Sequence, residues 1–268
     1  MPRLMDAGKI VAPRLHVLLA RKSPMAVVIR RGPSKQTAAI GWNRSTDTFT
    51  LGQWLKGRIY PFRSDISPDG RHWIYFAYKK TSGYTVMAKT PYLKAVDFYD
   101  KGDCYDGGGL FLSNSKYWLN DRYFMKEHFQ HKSAFRVTLA LPEHMDNDSC
   151  EESHRIYFPR LLRDGWSHAG MAKSDDTIDV LIKEMPDGWL LIKHFTAGKR
   201  EAHLLRNGQN GATIAAPDWE WAEWDGTRLL WAEQGRIKTG ALSSDGLYDV
   251  RELFDANSLT FFEAQAPY

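Results

Sequence analysis

Apolar residues in this chain come in short dense runs, not in stripes of helical period. HVLLA (16–20), MAVVI (25–29), TAAIGW (37–42), WIYFAY (73–78), LLIKHF (190–195) and RLLWA (228–232) are examples, with turn-forming residues between them. Within a run the apolar positions are successive, not alternate, which is the pattern of a strand buried on both faces. The best candidate for a helix is RELFDANSLTFF (251–262). Residues 1–13 read as a lead-in arm, followed by a single domain over 14–268.

A repeat organises the runs. SPDGRHWIYFAY (67–78), MPDGWLLIKHF (185–195) and EWDGTRLLWAE (223–233) each place Asp-Gly at a turn before a dense apolar strand. Gly accepts positive φ and Asp hydrogen-bonds its own backbone, so the pair suits a tight turn. SPMAVVIRRG (23–32) and LNDRYFMKEHF (119–129) fit more loosely. Turns near 24, 69, 121, 187 and 225 are then separated by about 45, 52, 66 and 38 residues, against roughly 40–50 for a four-stranded propeller blade. The longest spacing holds a polar insertion around 142–155. The expected fold is all-β, a five-bladed β-propeller; the alternative is a β-sandwich or barrel that reuses Asp-Gly hairpins. SDISPDGRHWIYFA (64–77) resembles the Asp-Gly repeats of TolB-like and Trp-Asp-type bacterial propellers. RRGPSK, GQW and GDCYDGGGLF give the chain a further resemblance to an uncharacterised bacterial group. Both resemblances imply a fold and no activity.

Composition narrows the class of partner. Lys and Arg number 36 against 32 Asp and Glu, so no global field draws the chain to nucleic acid. Two cysteines, Cys104 and Cys150, are too few for a disulfide framework and are expected as free thiols. No run approaches a membrane span and no export signal is visible, so a cytoplasmic protein is expected.

Candidate chemistry is sparse. Arg30, Arg31 and Lys35 surround a Gly-Pro turn, with Arg58 and Arg63 on the next turn region. They read as an anion clamp of guanidinium forks or as a solvated hairpin tip. In KGDCYDGGGLF (101–111), Asp103 and Asp106 flank Cys104 and precede Gly107, Gly108 and Gly109. This is either a binding loop at the propeller mouth or a tight connection that needs positive φ. HMDNDSCEESH (144–154) lacks calcium-loop and zinc spacing, as do Glu127, His128 and His131, so no metal is expected. Ser167 and His168 miss the nucleophile-elbow pattern. Trp219, Trp221, Trp224 and Trp231 read as core packing or as sugar-stacking faces. The leading expectation is a non-catalytic scaffold without a cofactor that binds another protein or a small anionic ligand. Its contact residues are Arg30, Arg31, Arg58, Asp103, Asp106 and Gly107–Gly109. The alternative is a carbohydrate-active propeller with Asp65, Asp164 and Glu220 as its carboxylates.

Overall fold

The computed structural model describes residues 11–121, 129–140, 152–173, 177–196, 199 and 201–268. The strands form five sheets. Blade 1 is β1 (Arg14–Leu19), β2 (Met25–Arg31), β3 (Gln36–Asn43) and β4 (Thr48–Lys56). Blade 2 is β5 (Arg58–Ile66), β6 (His72–Lys79), β7 (Ser82–Lys89) and β8 (Ala95–Asp100). In blade 3, β9 (Gly109–Ser113) pairs with β10 (Lys116–Leu119). The next strand, β11 (Phe129–His131), joins the outer edge of blade 2, while β12 (Arg136–Thr138) completes blade 3 in parallel with β10. After helix α1 (Glu152–Arg163), blade 4 runs β13 (Ser167–Lys173), β14 (Thr177–Glu184), β15 (Trp189–Phe195), β16 (Ala202–Asn207) and β17 (Thr213–Ala216). Blade 5 is β18 (Trp219–Trp224), β19 (Leu229–Glu233), β20 (Arg236–Ser243) and β21 (Gly246–Asp255).

The dense apolar runs explain how the sheets assemble. On β2, Ala26 and Val28 pack against Trp221, Leu230 and Ala232 of blade 5, while Val27 and Ile29 pack against Ile59, Trp73 and Tyr75 of blade 2. On β19, Leu229 and Trp231 face blade 4, while Leu230 and Ala232 face blade 1. On β6, Trp73 and Tyr75 face blade 1 and Ile74 faces Phe111 and Tyr117 of blade 3. A middle strand with a neighbouring blade on each side has no polar face to spare. The ring continues from blade 3 through Leu110, Trp118 and Ile156 to α1, and from α1 to blades 4 and 5. The fold is a five-bladed β-propeller.

The Asp-Gly turns form as expected. Asp69 Oδ1 accepts from Ser67 Oγ at 2.6 Å and from Arg71 N at 3.1 Å, and Gly70 takes φ +75° between β5 and β6. Asp187 and Gly188 both have positive φ between β14 and β15. Three expectations need correction. In blade 3 the equivalent turn lies at Asn114–Ser115, between β9 and β10, and not near residue 121. RELFDANSLTFF is not a helix: its first five residues end β21, Asn257 and Ser258 make a turn and the chain goes on without regular structure, while Phe254 stacks on Phe49 with ring centroids 4.4 Å apart. The polar insertion ends in a helix: 144–151 lie outside the described residues, but α1 follows from Glu152 and packs against β5, β9 and β13.

Candidate functional site

Innermost strands of the blades run in one direction. Gly108 lies beside the carbonyl of Arg63, Phe111 N donates to Asp65 Oδ2 at 2.7 Å, and Asp69 N donates to Asn114 Oδ1, so β5 and β9 advance together. Likewise Leu15 N donates to Glu220 Oε2 at 2.8 Å as β1 and β18 begin. The propeller therefore has two unlike ends, one where these strands start and one where they finish.

At the finishing end a cavity of about 440 Å³ opens beside the C-terminus of α1. Arg163 organises it. Its Nη1 and Nη2 donate to Asp65 Oδ2 and Oδ1 at 2.7 and 2.9 Å, while its Nε and Nη2 donate to Asp164 at 2.8 and 3.1 Å. Burial opposes the charge on Arg163, but Asp65 and Asp164 outweigh it and raise its pKa above the ordinary value. Lys183 Nζ donates to Glu223 Oε1 at 2.6 Å, and Trp166 Nε1 to Glu223 Oε2 at 2.9 Å. Asp225 lies 3.5 Å from Arg44. Trp221 and Trp224 supply aromatic wall. Asp65 and Asp164 thus meet on one guanidinium, while Glu220 lies at the other end of the molecule, beside Arg14 and His16. Asp65 is fully buried, and both of its oxygens are engaged, so it presents no oxygen to a substrate.

The starting end is different in kind. A cavity of about 410 Å³ lies there between blades 1 and 2, lined by Arg14, Arg31, Lys35, Arg58 and Tyr60 among others, with no carboxylate in its described lining. Arg14 and Arg31 are direct ladder partners across β1 and β2. Arg31 is held below its ordinary pKa first by burial and then by repulsion from Arg14, with Glu220 pulling the other way. Its Nε is buried without a hydrogen-bond partner.

The other expected contact residues fall as follows. Arg30 is buried, and its guanidinium donates to the carbonyls of Gly32, Ala256 and Leu259, so it holds the chain together and offers no surface. Arg63 donates to the carbonyls of Cys104 and Asp106 and anchors the 103–106 loop, in which Asp103 and Cys104 are exposed and Asp106 is buried. Gly107, Gly108 and Gly109 are buried. A Cβ would sit 2.3 Å from Phe76 at Gly107, 2.1 Å from the Arg63 carbonyl oxygen at Gly108 and 2.2 Å from that of Trp118 at Gly109. The glycine run thus serves close blade-to-blade approach. Ser167 Oγ donates to the Ile182 carbonyl, and His168 Nε2 lies 2.9 Å from Asp179. Trp219 and Trp221 do not share a face: a bulge between them sends Trp219 towards blade 4 and Trp221 towards blade 1. No group of metal-ligating side chains occurs among the described residues. Glu127, His128 and Cys150 lie outside those residues.

Sequence reasoning missed Arg14, Arg163, Lys183 and Glu223. Arg14 had a signal, since it opens the first apolar run opposite Arg31. Arg160 and Arg163, three apart in RLLR, would have signalled one charged helix face had α1 been recognised.

No family model matches the sequence, and no curated protein matches it. Among solved structures, an uncharacterized protein from Listeria monocytogenes EGD-e is similar at TM-score 0.34 and 11% identity, over 91% of this chain and 83% of that one. A chain of a mitotic checkpoint complex is similar at TM-score 0.30 and 12% identity, over 97% and 90%. The GH43 BlXynB protein from Bacillus licheniformis is similar at TM-score 0.32 and 10% identity, over 96% and 60%. These likenesses carry no functional residue over to this chain.

Proposed function

We propose that the chain acts by binding and not by turnover, as a scaffold for another protein, through the end of the propeller at which the innermost strands begin. The contrast between the two ends carries this reading. At the finishing end Asp65, Asp164, Glu223 and Asp225 are each engaged by a cation. At the starting end Arg14, Arg31, Lys35 and Arg58 have no counter-ion in the cavity they line. The 103–105 loop, held by Arg63 of β5, carries exposed Asp103 and Tyr105. An acidic partner would be attracted and oriented by that asymmetry. The reading places the protein in the cytoplasm with Cys104 as a free thiol, and keeps the resemblance of its Asp-Gly turns to TolB-like repeats as one of fold. Affinity capture from the native host tests it. The wild type and Asp164→Asn should recover the same partner, and the Arg31→Glu, Arg58→Glu double variant should lose it. Equal recovery by all three overturns the proposal.

One observation favours a second reading, carbohydrate hydrolysis: Asp164, Glu223 and Asp225 line one cavity with Trp221 and Trp224, although Asp65 beside them is closed off by Arg163 and Phe111 N. Glu220 has no part in it, being at the other end. Hydrolysis of aryl glycosides by the wild type, abolished in Asp164→Asn, would replace the scaffold reading with this one.

A further inference from the structure

The basic cavity has features that a solvated hairpin tip lacks. Five other arginines that are buried or half-buried find acceptors: Arg44 on the carbonyls of Ala20 and Ser23, Arg63 on the 104–106 loop, Arg160 on Pro61 and Ser64, Arg163 on two aspartates, and Arg228 on Asp47. The side chains of Arg14, Arg31, Lys35 and Arg58 make no hydrogen bond or ion pair among the described residues. They come from four places: the start of β1, the end of β2, the turn after β2 and the start of β5. Like charges directly opposite on a ladder are destabilising, so Arg14 beside Arg31 costs the fold stability. The buried, unpartnered Nε of Arg31 adds a desolvation cost that an acceptor would offset. Burial and Arg14 both act against the charge of Arg31, and a bound anion would act for it.

We infer that the cavity between blades 1 and 2 is an oxyanion site, lined by Arg14, Arg31, Lys35 and Arg58, for a phosphate or diphosphate group on a larger ligand. Four formal positive charges, offset nearby by Glu220, match an anion of charge two or more better than a monocarboxylate. Donors supplied from four points of one lining suit tetrahedral oxygens, whereas a planar carboxylate is satisfied by one fork. The cavity, at about 410 Å³, exceeds a bare phosphate and leaves room for what the group is attached to, with Tyr60 in its wall.

The inference rests on the reading that this end of the propeller is the one used, but its occupant is different and its test needs no protein partner. Inorganic phosphate, pyrophosphate, O-phosphoserine and acetate are titrated calorimetrically at fixed ionic strength. The chains compared are the wild type, Arg31→Gln, Arg58→Gln and Arg206→Gln, a control exposed on β16 of blade 4. Saturable 1:1 binding is expected for the phosphorylated probes, at least tenfold tighter than for acetate. It should be weakened at least tenfold in Arg31→Gln and in Arg58→Gln, and unchanged in Arg206→Gln. Tighter pyrophosphate binding assigns the site to a diphosphate, and tighter phosphoserine binding to a phosphorylated side chain. Absence of saturation, equal affinity for acetate, or the same loss in Arg206→Gln overturns the inference. Arg58 is exposed, so its variant reports even where Arg31→Gln fails to fold. Phosphate binding with no protein captured would leave this inference standing and remove the scaffold reading; capture that is lost in the Arg31→Glu, Arg58→Glu variant, with no saturable phosphate binding by the wild type, would do the reverse.

Discussion

Two residues show how the surroundings of a side chain set its tolerance. Gly70 has φ +75°, and a Cβ there would lie 2.5 Å from Met25 Cβ and 2.9 Å from Ser23 Oγ in the neighbouring blade. Strain and overlap act together, so Gly70→Val should destabilise the fold by about 1–3 kcal/mol. Chemical denaturation measures this, and an unchanged midpoint would contradict it. His16 is fully buried, with Arg160 Nη2 3.1 Å from its Nε2. A guanidinium only donates, so Nε2 is the acceptor and the ring is neutral with its proton on Nδ1. Burial lowers the pKa of His16 well below the ordinary value, and Arg160 and Lys193 lower it further. Once unfolded, the ring takes up a proton below about pH 6.5, which the native state resists. Stability from this group is therefore complete above about pH 6.5 and falls as pH drops from there towards the depressed native value, by up to about 1.4 kcal/mol per pH unit. His16→Asn should flatten that part of the stability-against-pH curve measured between pH 7 and 5; parallel curves would refute the assignment.

Among the elements, the strands were legible in the sequence and α1 was not. Runs such as MAVVI and RLLWA state in their composition that both faces are buried, and Asp-Gly states where the chain turns back. Helix α1 hides for a physical reason. It carries Pro159 in its interior, a residue that reads in sequence as a helix breaker, and its inward positions include Tyr157, Arg160 and Arg163, whose partners Glu201, Pro61 and Asp65 lie far away in sequence. Polar groups buried by pairing look in the sequence like surface. The same limit applied to the sites: Arg31, Lys35 and Arg58 could be suspected together, but Arg14 joins them only through the β1–β2 register, and no spacing reveals that Arg163 unites Asp65 with Asp164. The docking of α1 can be tested on that ion pair. Arg163→Met would leave Asp65 buried and unmatched, at an expected cost of about 3–5 kcal/mol. Asp65→Asn should return part of the loss when added to Arg163→Met, giving a favourable coupling in the double-mutant cycle. Strictly additive effects would mean that the pair does not hold the helix.

At the scale of the whole molecule the question is what keeps the ring shut. Blade 1 is built from residues 14–56 and blade 5 from 219–255, so neither sheet contains a strand from the far end of the chain. The seam between them is an apolar contact of β1–β3 with β18 and β19, supported by the bond from Leu15 N to Glu220. A strap from residue 256 onwards crosses it. Leaving β21, the chain gives the carbonyls of Ala256 and Leu259 to buried Arg30, sets Phe261 edge-on to Trp54, and gives the Ala264 carbonyl to Gln53 at 2.7 Å. It ends on blade 2, where the Tyr268 hydroxyl donates to the Lys94 carbonyl at 2.7 Å and accepts from Lys89 N. The strap thus ties blade 5 across blade 1 to blade 2. Its tie to Arg30 involves a charged donor in a buried place, where each bond contributes about 1.5–3 kcal/mol. Removing 257–268 deletes the Leu259, Ala264 and Tyr268 contacts and exposes Arg30, so the melting temperature should fall by roughly 5–10 °C. The location of the loss is the sharper test. Hydrogen exchange should quicken first in β1 and β18, at the seam, while β10 and β15, in the two blades that the strap does not touch, keep their protection. Loosening spread evenly over all five blades would show that the seam closes by its apolar contact alone and that the strap is incidental to it.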